Sequence, residues 1–276
     1  MTVDINELAE FFGGHFGPLL DGETMELRAL PPNGGARHRD FFTDYEEAAR
    51  CVAKYAPTHN VFFGVNPRKG RNGTKNGVSR VLYLHADVDF KHFGGDMDLA
   101  YDTIRAQPIG DPARIVATGG GFHAYWKVEP ADAKHAPYYE SVMAALERAM
   151  DIDKLHDVSR ILRVPGTLNL KPEYPKPFTA RVVYEGDGSE VSVSAMNALC
   201  AVYPEPEKSW RPSIRATTEE GEEWTVDKVA DLLSSIPPTL PRAEWLQVVM
   251  AVHSVLPDEG GFLAVDERSS EARGEN

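Results

Sequence analysis

Up to about Tyr203, short apolar runs alternate with stretches whose apolar residues recur at helical spacing, the pattern of an α/β or α+β chain. "NVFFGV" (Asn60–Val65) predicts a strand, and "VSRVLYLHADVDF" (Val78–Phe90) predicts a second. Between them Asn66–Gly77, rich in glycine, asparagine and cations, predicts a loop. "ARIVATGGGFHAYWKV" (Ala113–Val128) predicts two strands joined by a triple-glycine turn, and Phe178–Gly186 a further strand. Helices are expected over Thr43–Ala56, from Asp96 or Asp98 toward Pro108, and after Pro137 to Met150. Ser159–Pro172 reads as a strand, a Pro-Gly turn and a short extended piece. Residues 1–43 show no clean period, because glycines and prolines break up their apolar pieces.

After Tyr203 the pattern changes. Residues 206–222 are charged and aperiodic and read as a linker between a domain at 1–205 and a helical module at 223–257. The module carries two helices, Thr225–Ser235 and Arg242–Leu256, and is too small to be stable unless it docks or belongs to a larger domain. Residues 258–276 are expected to be a disordered tail.

Two cysteines, Cys51 and Cys200, give neither a disulfide framework nor a metal-site spacing. No apolar run is long enough to cross a membrane, so a cytoplasmic protein is expected. The net charge of -13 argues against a wide basic wrap around nucleic acid. Local charge argues otherwise: Arg68, Lys69, Arg71, Lys75, Arg80 and Lys91 cluster between Asn60 and His92, against only Asp87 and Asp89.

Side chains alternate along a strand, so Asp87 and Asp89 share one face. Two adjacent carboxylates repel unless a cation lies between them, and Mg²⁺ takes oxygen ligands while leaving room for phosphates. The plainer reading is a strand end fading into a solvated acidic turn. In "ATGGGFHAYW", Gly119, Gly120 and Gly121 allow close backbone approach, and their amides can face an anion. His123 follows them, either as a phosphate contact or as a satisfied histidine at a sheet edge. "HDVSRILRVPGTLNLKP" adds Asp157, Arg160 and Arg163, with Thr167, Asn169 and Lys171 on one face if extended. Buried charge needs a partner, so a plain strand explains the two arginines beside an aspartate less well. The carboxylates, the glycine hinge with its histidine and the clustered arginines together suit a phosphate–metal site better than any of them separately.

Taken together, "FFGVNPR", "HADVDFK", "TGGGFHAYW" and "DVSRILRVPGTLNLK" resemble the archaeo-eukaryotic primase superfamily, specifically the primase–polymerase domain of phages and plasmids. The resemblance covers roughly residues 40–185, and the helical module more loosely resembles one that links this domain to a helicase. It implies a two-lobed α+β catalytic domain with an RRM-like sheet, followed by a small helical module. It also implies DNA-templated nucleotidyl transfer, with Asp87, Asp89 and Asp157 holding Mg²⁺ or Mn²⁺ and His123 on the phosphates of a nucleoside triphosphate. Arg68 is expected near triphosphate or template, and Arg160, Arg163, Asn169 and Lys171 in nucleotide or template roles. Many relatives carry serine at Thr118 and several carry a basic residue after it; "GGGF" here leaves any phosphate contact from that loop to its backbone. Single-stranded DNA template and primer, and a replicative helicase, are the implied partners, in a host cytoplasm if phage-encoded. A metal-dependent nuclease and a non-catalytic replication or helicase-loading module are the alternatives. The sequence is silent on ribo- against deoxyribonucleotide preference.

Overall fold

The computed structural model describes residues 3–172, 176–205, 224–237, 240–257 and 259–273. The chain divides into two compact units, Met1–Glu205 and Pro206–Asn276. The stretch read as a linker lies outside the described residues.

The first unit is a mixed α+β structure built on two antiparallel sheets. One sheet has the order β2 (His38–Phe42), β1 (Glu23–Leu30), β3 (Asn60–Gly64), β8 (Ile161–Arg163), with the two-residue β4 (Arg68–Lys69) also paired to β1. The other has the order β11 (Arg181–Glu185), β6 (Arg114–Ala117), β7 (Gly121–Asp132), β5 (Arg80–Asp89). A small ladder pairs β9 (Leu168–Asn169) with β10 (Phe178–Thr179). The single strand expected over Phe178–Gly186 is therefore split at Ala180, whose backbone amide bonds back to Thr167.

Residues 1–43 hold more structure than their pattern suggests. Helix α1 (Ile5–Phe16) starts where the Asp4 carboxylate accepts from the amides of Asn6 and Glu7. Strand β1, "ETMELRAL", is buried along most of its length although it carries Glu23, Glu26 and the partly exposed Arg28. Ion pairs with arginines let these polar residues sit inside, and that hides the strand from a hydrophobicity pattern.

Two apolar cores result. Leu8, Phe12 and Phe16 of α1 and Ala48, Ala49 and Val52 of α2 (Tyr45–Tyr55) pack on Met25, Leu27 and Phe63 of the first sheet. This core continues through Leu162 to Tyr83, Val116 and Tyr125 of the second sheet. The opposite face of the second sheet, with Leu84, Ala86, Val88, Ala124 and Trp126, packs on α3 (Met97–Arg105), α4 (Ala136–Met150) and α5 (Val193–Val202).

The "VNPR" element clamps the two sheets. Asn66, fully buried, accepts from the amides of Leu82 (2.8 Å) and Tyr83 (3.4 Å) at the irregularity in β5. Its amide nitrogen donates to Val158 O (3.0 Å), and Arg68 Nη2 donates to Ser159 O (2.7 Å).

In the second unit α6 (Val226–Ser234), α7 (Arg242–Val255) and α8 (Glu259–Arg273) share a small core of Val229, Leu233, Val252, Ala264 and Val265. The residues expected as a disordered tail thus include a helix. Ala264 and Val265 are buried while Phe262 and Leu263 stay exposed, and Arg268 donates to the carbonyls of Ser234 and Ile236 at the end of α6. No helix among the described residues is long and apolar enough to cross a membrane.

His15 of α1 sits in the first core, its ring 4.2 Å from Tyr83 and its Nε2 2.9 Å from Val65 O. Burial drives its pKa down to about 3, so it folds as the neutral imidazole. The unfolded chain binds a proton there near pH 6.5, so the stability this group contributes is complete above that pH and is lost as pH falls toward 3. Replacing His15 by glutamine should flatten the decline of melting temperature between pH 7 and pH 5. The difference corresponds to on the order of 2 kcal/mol at pH 5, and parallel pH profiles would contradict it.

Candidate active site

Antiparallel pairing of β5 with β7 sets Asp87 directly opposite His123 and Asp89 opposite Gly121. Both carboxylates therefore leave one face of one strand end, as alternation requires. His123 Nε2 lies 3.6 Å from Asp87 Oδ1, and Arg160 Nη2 lies 3.9 Å from Asp87 Oδ2. Asp89 accepts from the amide of Lys91 (3.0 Å), and the ammonium of Lys91 lies 3.4 Å from its Oδ2.

Asp87, Asp89, Lys91 and His123 line a cavity of ≈ 260 Å³. Asp87, Asp89, Thr118, Gly120, Gly121, His123, Arg163, Asn169 and Lys171 belong to its wall, as does Phe62. Most of the site expected from sequence is thereby gathered in one place. Four expected members are not in that wall: Gly119, at the turn itself, and Arg68, Arg160 and Asp157. Arg68 is fully buried, with Nε donating to Glu26 (2.8 Å), so it braces the first sheet and does not meet a ligand in the cavity. Arg160 stands behind Asp87, with its Nε buried and without a hydrogen-bond partner among the described residues. Asp157 turns to its own loop, accepting from the amide (2.7 Å) and hydroxyl (2.8 Å) of Ser159. Burial raises its pKa, but those two hydrogen bonds together with the nearby charge of Lys75 hold the carboxyl below its ordinary range.

A different acid lines the cavity. Asp153, four residues earlier, pairs with Lys91 (2.6 Å) and His92 (3.2 Å). Its loop is held by Glu147 of α4, which is buried and accepts from the amide of Leu155 and from His156 Nδ1, both at 2.5 Å. Sequence reasoning passed over Asp153. The signal available was "DIDKLHD", whose three acids have no periodicity to choose among them.

The arginine motif proves to be largely scaffold. Arg163 donates to Asn60 Oδ1 (2.8 Å), Leu168 O (3.0 Å) and Asn169 Oδ1 (2.9 Å). Asn169 in turn donates to Thr118 O (2.7 Å), so the third motif pins the glycine turn of the second. Gly119 needs its positive φ of 95°, and a Cβ there would lie 2.7 Å from Phe178.

Two sheets joined in this way, with the acid–histidine pair at their junction, can be set beside known folds. Two solved primases share this fold. The chain superposes on the AEP domain of the cyanophage S-2L primase-polymerase with a TM-score of 0.55 at 16% identity, over 74% of this chain and 100% of that one. It superposes on the primase RepB' with a TM-score of 0.51 at 12% identity, over 98% and 95% of the two chains. No protein-family model and no curated protein matches the sequence.

Burial is the main reason the pKa of His123 falls to about 4, although Asp87 opposes the shift. The ring is neutral at physiological pH and keeps one N–H donor. Half-exposed carboxylate oxygens beside a polar cavity are a donor set for a hard divalent cation that keeps water and phosphate oxygens as its other ligands. Among the described residues no three acid, histidine or cysteine side chains close a metal cage. Asp87 and Asp89 offer such a cation two oxygen ligands on one strand face and leave its other positions open.

Gly121 is the position where the site is most sensitive to added bulk. A Cβ there would lie 2.3 Å from Val88 O and 3.0 Å from Asp89 Cα. Gly121→Ala should destabilise the fold by about 1–3 kcal/mol and displace Asp89. Gly14→Ala, which meets nothing within 4 Å, should not destabilise it. Equal melting temperatures for the two variants would contradict the close approach.

Proposed function

We propose that residues 1–205 form a nucleotidyltransferase that starts and extends strands on a single-stranded DNA template, using nucleoside triphosphates, and belongs to the archaeo-eukaryotic primase superfamily. The observation that carries this reading is the pair Asp87–Asp89 facing one cavity with His123, in a fold that two primases share. The sheet β11-β6-β7-β5, with helices on one face, is read as the RRM-like lobe of that architecture.

Asp87 and Asp89 would hold Mg²⁺ or Mn²⁺, and Asp153, which lines the same cavity where Asp157 does not, is assigned as the partner that positions Lys91. A bound ion supplies an acidified 3′-hydroxyl and charge neutralisation on the triphosphate. The chain's own residues do the rest. Neutral His123 donates toward a phosphate oxygen without adding a charge that Asp87 would capture. Lys91 and Lys171 bring positive charge to the cavity wall where negative charge develops on the leaving group. Glu147 fixes the loop that carries Asp153, and the Arg163–Asn169–Thr118 chain fixes the glycine turn, so the cavity is preorganised.

The test is nucleotide incorporation on primed and unprimed single-stranded DNA with Mn²⁺. Asp87→Asn combined with Asp89→Asn should lower incorporation by about a hundredfold or more while the protein stays folded. Asp153→Asn should be far more damaging than Asp157→Asn. Activity unchanged in the double variant would overturn the assignment, as would cleavage of labelled DNA, without nucleotides, that depends on the same two acids.

A further inference from the structure

Helices α1 and α2 cover one face of the first sheet, and its outer face carries an unusual row of side chains. Register places Arg39 of β2, Arg28 of β1, Phe62 of β3 and Arg163 of β8 directly across from one another. At about 4.8 Å per strand this row spans roughly 14 Å and ends in the cavity wall at Phe62 and Arg163. One step along β2, Phe41 carries the guanidinium of Arg71 5.6 Å from its ring centre, and Arg163 lies 4.9 Å from the ring of Phe62.

The counter-charge for this face is hidden. Glu26 has no exposed surface, yet Arg28, Arg39 and Arg68 all converge on it at 2.6, 3.4 and 2.8 Å. One carboxylate cannot neutralise three guanidinium groups, and Nη1 of Arg68 has no hydrogen-bond partner among the described residues. Gly73 closes over the same carboxylate: a Cβ there would lie 2.4 Å from Glu26 Oε1, and Gly73 O accepts from Arg28 (3.0 Å). The surface therefore presents cations and aromatic rings over a buried anion, on a chain whose net charge is -13. Such a combination complements a polyanion whose flat groups are free to stack.

We infer that this outer face is the track on which single-stranded DNA approaches the cavity. Its phosphates lie against Arg39, Arg28 and Arg71, and its bases lie against Phe41 and Phe62. At 3.4 Å per stacked nucleotide the row accommodates about four nucleotides. The inference rests on the polymerase reading only for the direction of the strand toward the cavity. It also moves the strand contact expected at Arg68: that residue is buried, held by Glu26 and Ser159 O, and exposed Arg39 and Arg71 carry the contact.

The experiment is anisotropy of a fluorescent oligodeoxythymidylate titrated with full-length protein at several salt concentrations. Arg39→Ser combined with Arg71→Ser should weaken binding about tenfold at low salt and reduce the slope of log affinity against log salt by about 1.4, two single-strand phosphate contacts. Arg50→Ser combined with Lys54→Ser removes the same charge from α2 on the opposite side and should leave affinity near that of the parent. Phe41→Ala should weaken binding without changing the salt slope. Equal losses in the two double variants, unchanged affinity in the Arg39/Arg71 variant, or tighter binding of duplex than of single strand would each overturn the inference. Mn²⁺-dependent nucleotide binding, read on the same preparations, keeps the two readings apart. If strand binding responds as expected and nucleotide binding is absent, the polymerase reading fails and the track stands. If nucleotide binding is intact and strand binding does not respond, the track fails alone.

Discussion

Everything at the candidate site depends on the antiparallel ladder between β5 and β7. That ladder makes Asp87 and His123 cross-strand neighbours and sets Asp89 beside the glycine turn. A slip of one residue would send both carboxylates into the apolar core formed with α3 and α4. The register is held from three directions. Asn66 satisfies the amides at the irregularity in β5, Leu84, Ala86 and Val88 fill the helix-covered face, and Gly121 lets the strand ends approach within a distance no side chain tolerates.

Around this ladder the protein uses charged side chains as structural parts more than as ligands. Glu26 gathers three arginines, Arg163 ties β8 to β9, and Glu147 holds the loop of Asp153. Buried ion pairs of this kind do little for net stability, but breaking one leaves an uncompensated charge, so they fix geometry strongly. The cavity inherits that fixity. Asp87, Asp89 and His123 stand on paired strands, and the loop of Asp153, clamped at Glu147, adds a third acid to its wall.

The common face of Asp87 and Asp89 was legible because strand alternation is a local rule that needs no knowledge of neighbours. The glycine turn before His123 was legible for the same reason, and α2, α3 and α4 are announced by Asp44, Asp96 and Pro137 near their starts. Strand β1 was not, because its polar residues are buried by partners distant in sequence. Arg68 read as a surface cation in a basic loop, yet Gly64 leaves room for its guanidinium to lie buried against the strand: a Cβ there would lie 2.7 Å from Nη2. The choice between Asp153 and Asp157 could not be made locally, since it depends on which way Glu147 draws their shared loop. Helix α8 escaped notice because its burial rests on a few residues, Ala264 and Val265 among them.

The central claim is that two carboxylates on one strand end form a cation site completed by the substrate and not by a closed protein cage. Electron paramagnetic resonance of Mn²⁺, titrated into the folded protein with and without a nucleoside triphosphate, tests it most directly. Weak binding is expected, tightening when nucleotide is added and lost in Asp89→Asn. Binding that is indifferent to nucleotide, or that survives Asp89→Asn unchanged, would contradict it.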